Sequence, residues 1–143
     1  MKGSCLCGSL SYTVAGHPVL SAYCHCTLCQ RSSGGAFIWS LHYRSSAISW
    51  TYTPDNAPLH EPLSPDVFRY RCKSCGIITS TCNTKVEKWA VRGAQLERDE
   101  EGKIKNASIV KPTAHIFYGT RMLDVDDGLS KWEGFQDQSV RIS

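Results

Sequence analysis

Three cysteines fall within six residues, Cys24-His25-Cys26-Thr27-Leu28-Cys29, in the spacing C-x-C-x-x-C. Thiolates this close along a chain can converge on one soft cation. Three of them leave a tetrahedral ion such as zinc one ligand short. Four further cysteines form two outlying pairs, Cys5-x-Cys7 and Cys72-x-x-Cys75. Together the pairs supply four thiolates, the number that closes a structural zinc site. The pattern predicts two zinc ions per chain: a closed site tying distant parts of the chain together, and a second site with an open position where chemistry can occur. Spacing alone leaves the partition open. Cys26/Cys29 with Cys72/Cys75 would also make a zinc ribbon. The fourth position of the triplet could be water, a substrate thiolate, His115 or the leftover Cys82.

The rest of the composition narrows the class. A chain of 143 residues, 41% hydrophobic and 20% charged, predicts one soluble globular domain over residues 1–143. No apolar run has the length of a membrane span, and residues 1–8 lack the apolar core of a signal peptide. A cytoplasmic location is expected, where thiols stay reduced, so eight cysteines argue for metal rather than disulfides. The formal charge of +3 does not imply a nucleic-acid partner. Seven metal-bound thiolates (−7) and two zinc ions (+4) would bring it to zero, and no Lys/Arg run is present. No membrane partner is expected, and a homodimer is an assembly the reading allows.

Short strands must position these cysteines. Alternating or β-rich stretches predict strands at 9–14, 19–23, 36–43, 47–52, 67–71, 77–82, 86–91 and 114–118. Residues 26–33 have room for one or two helical turns, ended by Gly34-Gly35. Residues 53–66 hold four of the six prolines and predict a loop or lid. Residues 95–106 predict a charged, solvated excursion with a turn at Glu101-Gly102, and 124–128 an acidic turn. The fold class is mainly β, with small antiparallel sheets, zinc knuckles and one short helix.

The motifs resemble the glutathione-dependent formaldehyde-activating (Gfa) family, which also includes centromere protein V. The matching stretches are Gly3-Ser4-Cys5-Leu6-Cys7-Gly8, Cys24-His25-Cys26-Thr27-Leu28-Cys29-Gln30-Arg31-Ser32-Ser33-Gly34 and Tyr70-Arg71-Cys72-Lys73-Ser74-Cys75-Gly76. His115-Ile116-Phe117 and Asp127-Gly128-Leu129 resemble the family's C-terminal signals more loosely. The resemblance implies a β-rich fold of small sheets bridged by zinc, like that of a zinc-binding accessory protein of Rab GTPases. It implies a structural zinc on Cys5, Cys7, Cys72 and Cys75, and a second zinc on Cys24, Cys26 and Cys29. The implied activity joins glutathione and formaldehyde into S-hydroxymethylglutathione and belongs with the carbon–sulfur lyases. The chain departs from the family pattern after His115, where residues 118–123 lack the common Pro-Trp pair, and after Cys75, where the usual Gly-Thr/Ser-Pro is absent.

A zinc held by three thiolates is electron-rich, which favours handling sulfur over generating hydroxide. Cys24, Cys26, Cys29 and His115 are therefore the catalytic candidates, His115 as an acid/base or substrate contact. His25, between two ligands, is expected to make a structural hydrogen bond. Arg31, Ser32, Ser33 and Gly34 could receive glutathione carboxylates through the guanidinium or backbone N–H groups. Cys82 is expected to be a buried free thiol, and Trp39, Trp89 and Trp132 core residues. Two other functions fit the same motifs: the same scaffold acting on another small molecule of specialised metabolism, or a non-catalytic zinc-binding interaction module.

Overall fold

The computed structural model describes residues Met1–Ser143, all eight cysteines as free thiols. The chain forms two compact units, residues 1–19 with 41–110, and residues 20–40 with 111–143. No helix is long and apolar enough to cross a membrane.

In the first unit, strands β1 (Lys2–Ser4), β2 (Ser11–Val14) and β5 (Ile48–Thr51) make a three-stranded sheet in the order β1-β2-β5, with both pairings antiparallel. Gly3 pairs with Tyr12, and a Cβ at Gly3 would collide with the Tyr12 ring. The absent side chain is what lets the ring lie across β1. The unit's other strands are β6 (Leu59–Ser64), β7 (Val67–Arg71), β8 (Ile78–Asn83) and β9 (Lys88–Arg92), each antiparallel to the next. Their core is aromatic. Trp50 packs on Tyr12, Tyr70 and Trp89 with ring centroids 5.1–5.2 Å apart, and Phe68 meets Trp89 edge-on at 5.4 Å. Such pairs each add roughly 0.5–1.5 kcal/mol beyond the area they bury.

Two hairpins of this unit carry the outlying cysteine pairs in their loops. Between β1 and β2, Cys5 N–H donates to Leu10 O at 2.9 Å and Gly8 takes φ +80°. Between β7 and β8, Cys72 N–H donates to Ile77 O at 2.9 Å, Gly76 N–H donates to Cys72 O at 2.9 Å, and Gly76 takes φ +76°. Glycine suits both turns because only a residue without Cβ takes that conformation at little cost.

The second unit is built on parallel pairings. Strand β3 (Leu20–Cys24) lies beside β10 (Ala114–Ile116), which lies beside β11 (Ser130–Lys131), both pairs parallel. The expectation of antiparallel sheets thus holds for the first unit and not here. Parallel neighbours need long connections, and β3 and β10 come from distant parts of the chain. Strand β4 (Ile38–Arg44) lies next to β3 in sheet order and runs on into the first unit. Helix α1 (Thr27–Ser33) buries none of its residues. Its caps define it: Cys26 at the N-cap accepts from Cys29 N–H, and Gly34 in the left-handed region donates to Gln30 O.

Residues 53–66 are not a loop throughout, as the prolines predict. A 3-10 turn at Pro54–Asn56 is followed by β6, which contains Pro62. The strand stands at the end of the sheet order with most of its residues exposed, and its register shifts between Pro62 and Ser64. An edge strand tolerates a residue that cannot donate to the ladder. The charged segment does form a solvated excursion: Arg98 bridges Ile104, Gly102 takes φ +79°, and Asp99 Oδ1 accepts from the N–H groups of Glu101 and Lys103 at 2.9 Å.

The edge strand is held by charge. Glu61 accepts from Arg69 Nε and Arg71 Nε, each at 2.7 Å. The hydrogen bonds from Arg71 and Arg69 hold its carboxyl below the ordinary value. A carboxylate lowered in this way stabilises the fold above its unfolded pKa, and the contribution disappears as pH falls through the lower folded value. Glu61→Gln is expected to cost about 1 kcal/mol at neutral pH. In urea melts that difference should shrink as pH drops below about 4.3, the unfolded value for glutamate. A loss that stays constant down to about pH 2 would contradict this origin.

Candidate metal centres

In the first unit the two hairpin loops bring Cys5, Cys7, Cys72 and Cys75 together, with every sulfur within 4.8 Å of the others. Cys7 Sγ lies 3.6 Å from Cys5 Sγ and 3.7 Å from Cys72 Sγ. Four sulfurs about 2.3 Å from a central zinc would be about 3.8 Å from one another, so these spacings fit a tetrahedral ion. Backbone N–H groups point at the sulfurs: Leu10 N–H at Cys5 Sγ, 3.4 Å, and Cys75 N–H at Cys72 Sγ, 3.5 Å. Such donors favour thiolate over thiol. Burial works against the Cys72 thiolate, but hydrogen bonds from the N–H groups of Cys75 and Ser74 and from the side chains of Cys5 and Ser9 together bring the pKa down to about 6. Burial pushes the Cys5 thiol up to about 11. The cluster packs on Leu10, Trp50 and Tyr70, at the end of the aromatic core.

In the second unit β3 delivers Cys24, the N-cap position holds Cys26, and the first turn of α1 presents Cys29. Their three sulfurs also lie within 4.8 Å of one another. Cys29 N–H donates to Cys26 Sγ at 3.4 Å. Hydrogen bonding from Cys24 and Cys29 lowers the Cys26 thiol far below its ordinary value, while hydrogen bonding to Cys26 and Cys29, with burial, raises Cys24. One thiolate thus forms at its neighbours' expense. A divalent cation removes that competition by stabilising all three. The donor sets fit zinc in both clusters.

His25 faces inward with no exposed surface. Its ring lies 4.8 Å from Phe37 and 5.0 Å from Tyr118. Its carbonyl is held twice, by Gln30 Nε2 at 2.7 Å and Thr120 Oγ1 at 3.0 Å. Its Nε2 makes a 2.8 Å hydrogen bond to His115 Nδ1, so the expected structural hydrogen bond is present. His115 is equally buried and pairs its Nε2 with Asp127 Oδ2 at 3.0 Å. Both His115 nitrogens are thereby engaged, and it stands outside the three-sulfur cluster. Burial lowers the His25 pKa to about 4, with the His115 charge adding to the effect. Burial would raise Asp127, but the hydrogen bonds from His115 and the Leu129 N–H, with the nearby positive charge of Lys131, together hold its carboxyl below the ordinary value.

Asp127 is the site residue that sequence reasoning missed as a partner. The only signal was its place in Asp127-Gly128-Leu129, without a role. Phe117, next to the site, takes φ +54°, a conformation unusual for a bulky side chain. It turns the chain out of β10 into the 3-10 turn Tyr118–Thr120, whose Thr120 reaches the His25 carbonyl.

The residues after Cys29 have helix-ending work. Ser32 Oγ and Ser33 Oγ donate to Cys29 O at 3.2 and 2.8 Å, and Gly34 caps the helix. Arg31 is exposed. Cys82 lies on β8, buried opposite Phe68 and Trp89 and outside both sulfur clusters. Of the tryptophans, Trp89 is buried, whereas Trp39 and Trp132 are half-buried with their Nε1–H groups on Ser21 and Ser130, both at 2.9 Å.

A cation on the first cluster would close a loop of 65 residues between Cys7 and Cys72. By loop-closure entropy that is worth about 4 kcal/mol, against about 2 kcal/mol for the short loop from Cys24 to Cys29. Cys72→Ser should therefore lower thermal stability by about 2 kcal/mol more than Cys26→Ser. Thermal melts of the metal-loaded variants read this directly, and equal losses would contradict it.

The chain's likenesses agree with this geometry. A crystal structure of a Rhodobacter sphaeroides protein shares the fold, with a TM-score of 0.53 and 24% identity over 73% of this chain and 97% of that one. No curated protein matches the chain. The family model described as glutathione-dependent formaldehyde-activating enzyme matches residues 1–120, which contain all seven clustered cysteines, His25 and His115. The chain belongs to the glutathione-dependent formaldehyde-activating enzyme family.

Proposed function

We propose that this protein is a zinc-dependent enzyme of carbon–sulfur lyase type that handles adducts of a thiol with a small carbonyl compound, glutathione being the first thiol to consider. It would work in a reducing compartment such as the cytoplasm, with two zinc ions per chain. The observation that carries this reading is the unequal donor count of the two clusters, four sulfurs in one and three in the other. Zinc on three thiolates supplies an open position that favours a sulfur ligand in its anionic form.

The chain's own groups divide the remaining work. Cys24, Cys26 and Cys29 hold the ion on a short loop and a single helical turn. Gln30 and Thr120 pin the His25 carbonyl, which fixes the middle of that loop. His115 acts from behind His25, through their hydrogen bond, and not as a ligand. Arg31, exposed on α1 two residues beyond Cys29, is suited to a glutathione carboxylate. Ser32, Ser33 and Gly34 bear on that carboxylate only by setting the helix end that carries Arg31. The departures in residues 118–123 leave room for a substrate other than formaldehyde on the same scaffold. A second reading, a zinc-binding interaction module, draws on exposed Leu28, Met122 and Leu123 in this unit.

Cobalt in place of zinc makes the site visible. Added glutathione should change the thiolate charge-transfer bands and release a proton wherever the free thiol's pKa lies above the working pH. Cys29→Ser should abolish that response while cobalt remains on the four-sulfur cluster. A cobalt spectrum indifferent to every thiol offered would remove the physical basis of a thiol–carbonyl enzyme and favour the interaction module.

A further inference from the structure

The four sulfurs of the first cluster are not equivalent. Cys5 and Cys72 are buried, Cys75 is half-buried and Cys7 is exposed. The buried pair accept from backbone N–H groups, Leu10 N–H on Cys5 Sγ at 3.4 Å and Cys75 N–H on Cys72 Sγ at 3.5 Å. Cys7 has a side-chain partner as well as a backbone one. Ser9 Oγ lies 2.7 Å from Cys7 Sγ, and the Ser9 N–H also bears on that sulfur. The hydroxyl's other polar contact is Cys72 Sγ at 3.8 Å, so both are sulfurs of this cluster. The loop, not the serine side chain, sets Ser9 there. Cys5 N–H closes the turn on Leu10 O at 2.9 Å, Gly8 N–H donates to Cys5 O at 3.2 Å, and Gly8 takes φ +80°. A sulfur bound to a cation carries no hydrogen, so the serine must donate. It has one hydrogen, and the 2.7 Å contact takes it in preference to the 3.8 Å one.

We propose that Ser9 is a positioning residue of the four-sulfur centre and Cys7 its labile corner: the Ser9 hydroxyl holds Cys7 Sγ in the cation's shell and blunts its attack on electrophiles. Reaction needs an accessible thiolate, and Cys7 is the exposed one. A thiolate that accepts a charge-assisted hydrogen bond offers its lone pair less readily to carbon. Hydrogen-bond partners of a ligand also help to retain the metal that the ligand holds. The inference rests on cation binding by the four-sulfur cluster and not on the thiol–carbonyl chemistry of the second unit.

Iodoacetamide tests this on the zinc-loaded protein, with each cysteine followed by peptide mass spectrometry. The Cys7 thiolate displaces iodide and forms one S–C bond, with no proton to lose. Within the cluster Cys7 should react first, ahead of Cys75, Cys5 and Cys72. Ser9→Ala removes the hydroxyl and keeps the backbone N–H. It should raise the Cys7 rate about tenfold, the size of one hydrogen bond to a charged group, and leave the initial rates of the other three unchanged. Ser9→Thr should restore the wild-type rate. Zinc competition against a chelator should show about tenfold weaker binding in Ser9→Ala, at the centre that persists in Cys29→Ser. Ser9→Gly makes the same deletion if the alanine variant does not fold. A wild-type order led by any other sulfur of the cluster would overturn Cys7 as the labile corner. An unchanged Cys7 rate or zinc affinity without the hydroxyl would overturn the role of Ser9. So would a rise at all four sulfurs together, which is the mark of a loosened loop.

Discussion

Mutual repulsion among crowded sulfurs is the constraint on which the rest of the structure turns. Two thiolates 3.7 Å apart, the Cys7–Cys72 separation, repel by about 4 kcal/mol at an effective dielectric of about 20. Four such groups, all within 4.8 Å of one another, would accumulate a penalty beyond the ~5–15 kcal/mol that stabilises a domain. Without a cation the sulfurs must share protons unevenly, which is what the opposite shifts of Cys24 and Cys26 express. With a divalent ion the same proximity becomes an attraction. The hairpin loops, the glycine turns and the N–H groups aimed at sulfur are intelligible as the scaffold of that ion.

The two clusters use the chain differently. In the first unit, both cysteine pairs occupy hairpin loops, and the sulfurs pack against Leu10, Trp50 and Tyr70. A centre of that kind substitutes for core area, which small β domains lack. In the second unit, three donors come from one short stretch at the start of a helix that buries nothing. Behind that stretch stands a polar core of two histidines, bounded by Phe37 and Tyr118 and closed by Asp127. The first arrangement suits holding the fold, and the second suits a site that must exchange a ligand.

Local signals made much of this legible in the sequence. The cysteine spacing carries both clusters, because ligands within a knuckle are near neighbours in the chain. Strands β7 and β8 emerge from β-branched and aromatic runs, and Gly34 marks the end of α1 because a left-handed cap favours glycine. Other features depend on tertiary context. Strand β6 is hidden by its prolines, which are tolerated only because it lies at a sheet edge. The parallel pairing of β3 with β10 has no local signature, so a fully antiparallel fold is the natural expectation. The link from Asp127 through His115 to His25 depends on that same pairing, which sets His115 beside Tyr23 and Ile116 beside Cys24. The partition of sulfurs into four and three is likewise a matter of which loops meet, which spacing alone leaves open.

Zinc X-ray absorption on the fully loaded protein measures that partition most directly. Clusters of four and three sulfurs predict two zinc ions sharing seven sulfur ligands, with one lighter oxygen or nitrogen neighbour between them. Cys29→Ser should remove sulfur only from the mixed-ligand ion. A shell of sulfur alone, such as Cys82 joining the triplet would give, would contradict an open second centre, and so would a protein that retains a single zinc.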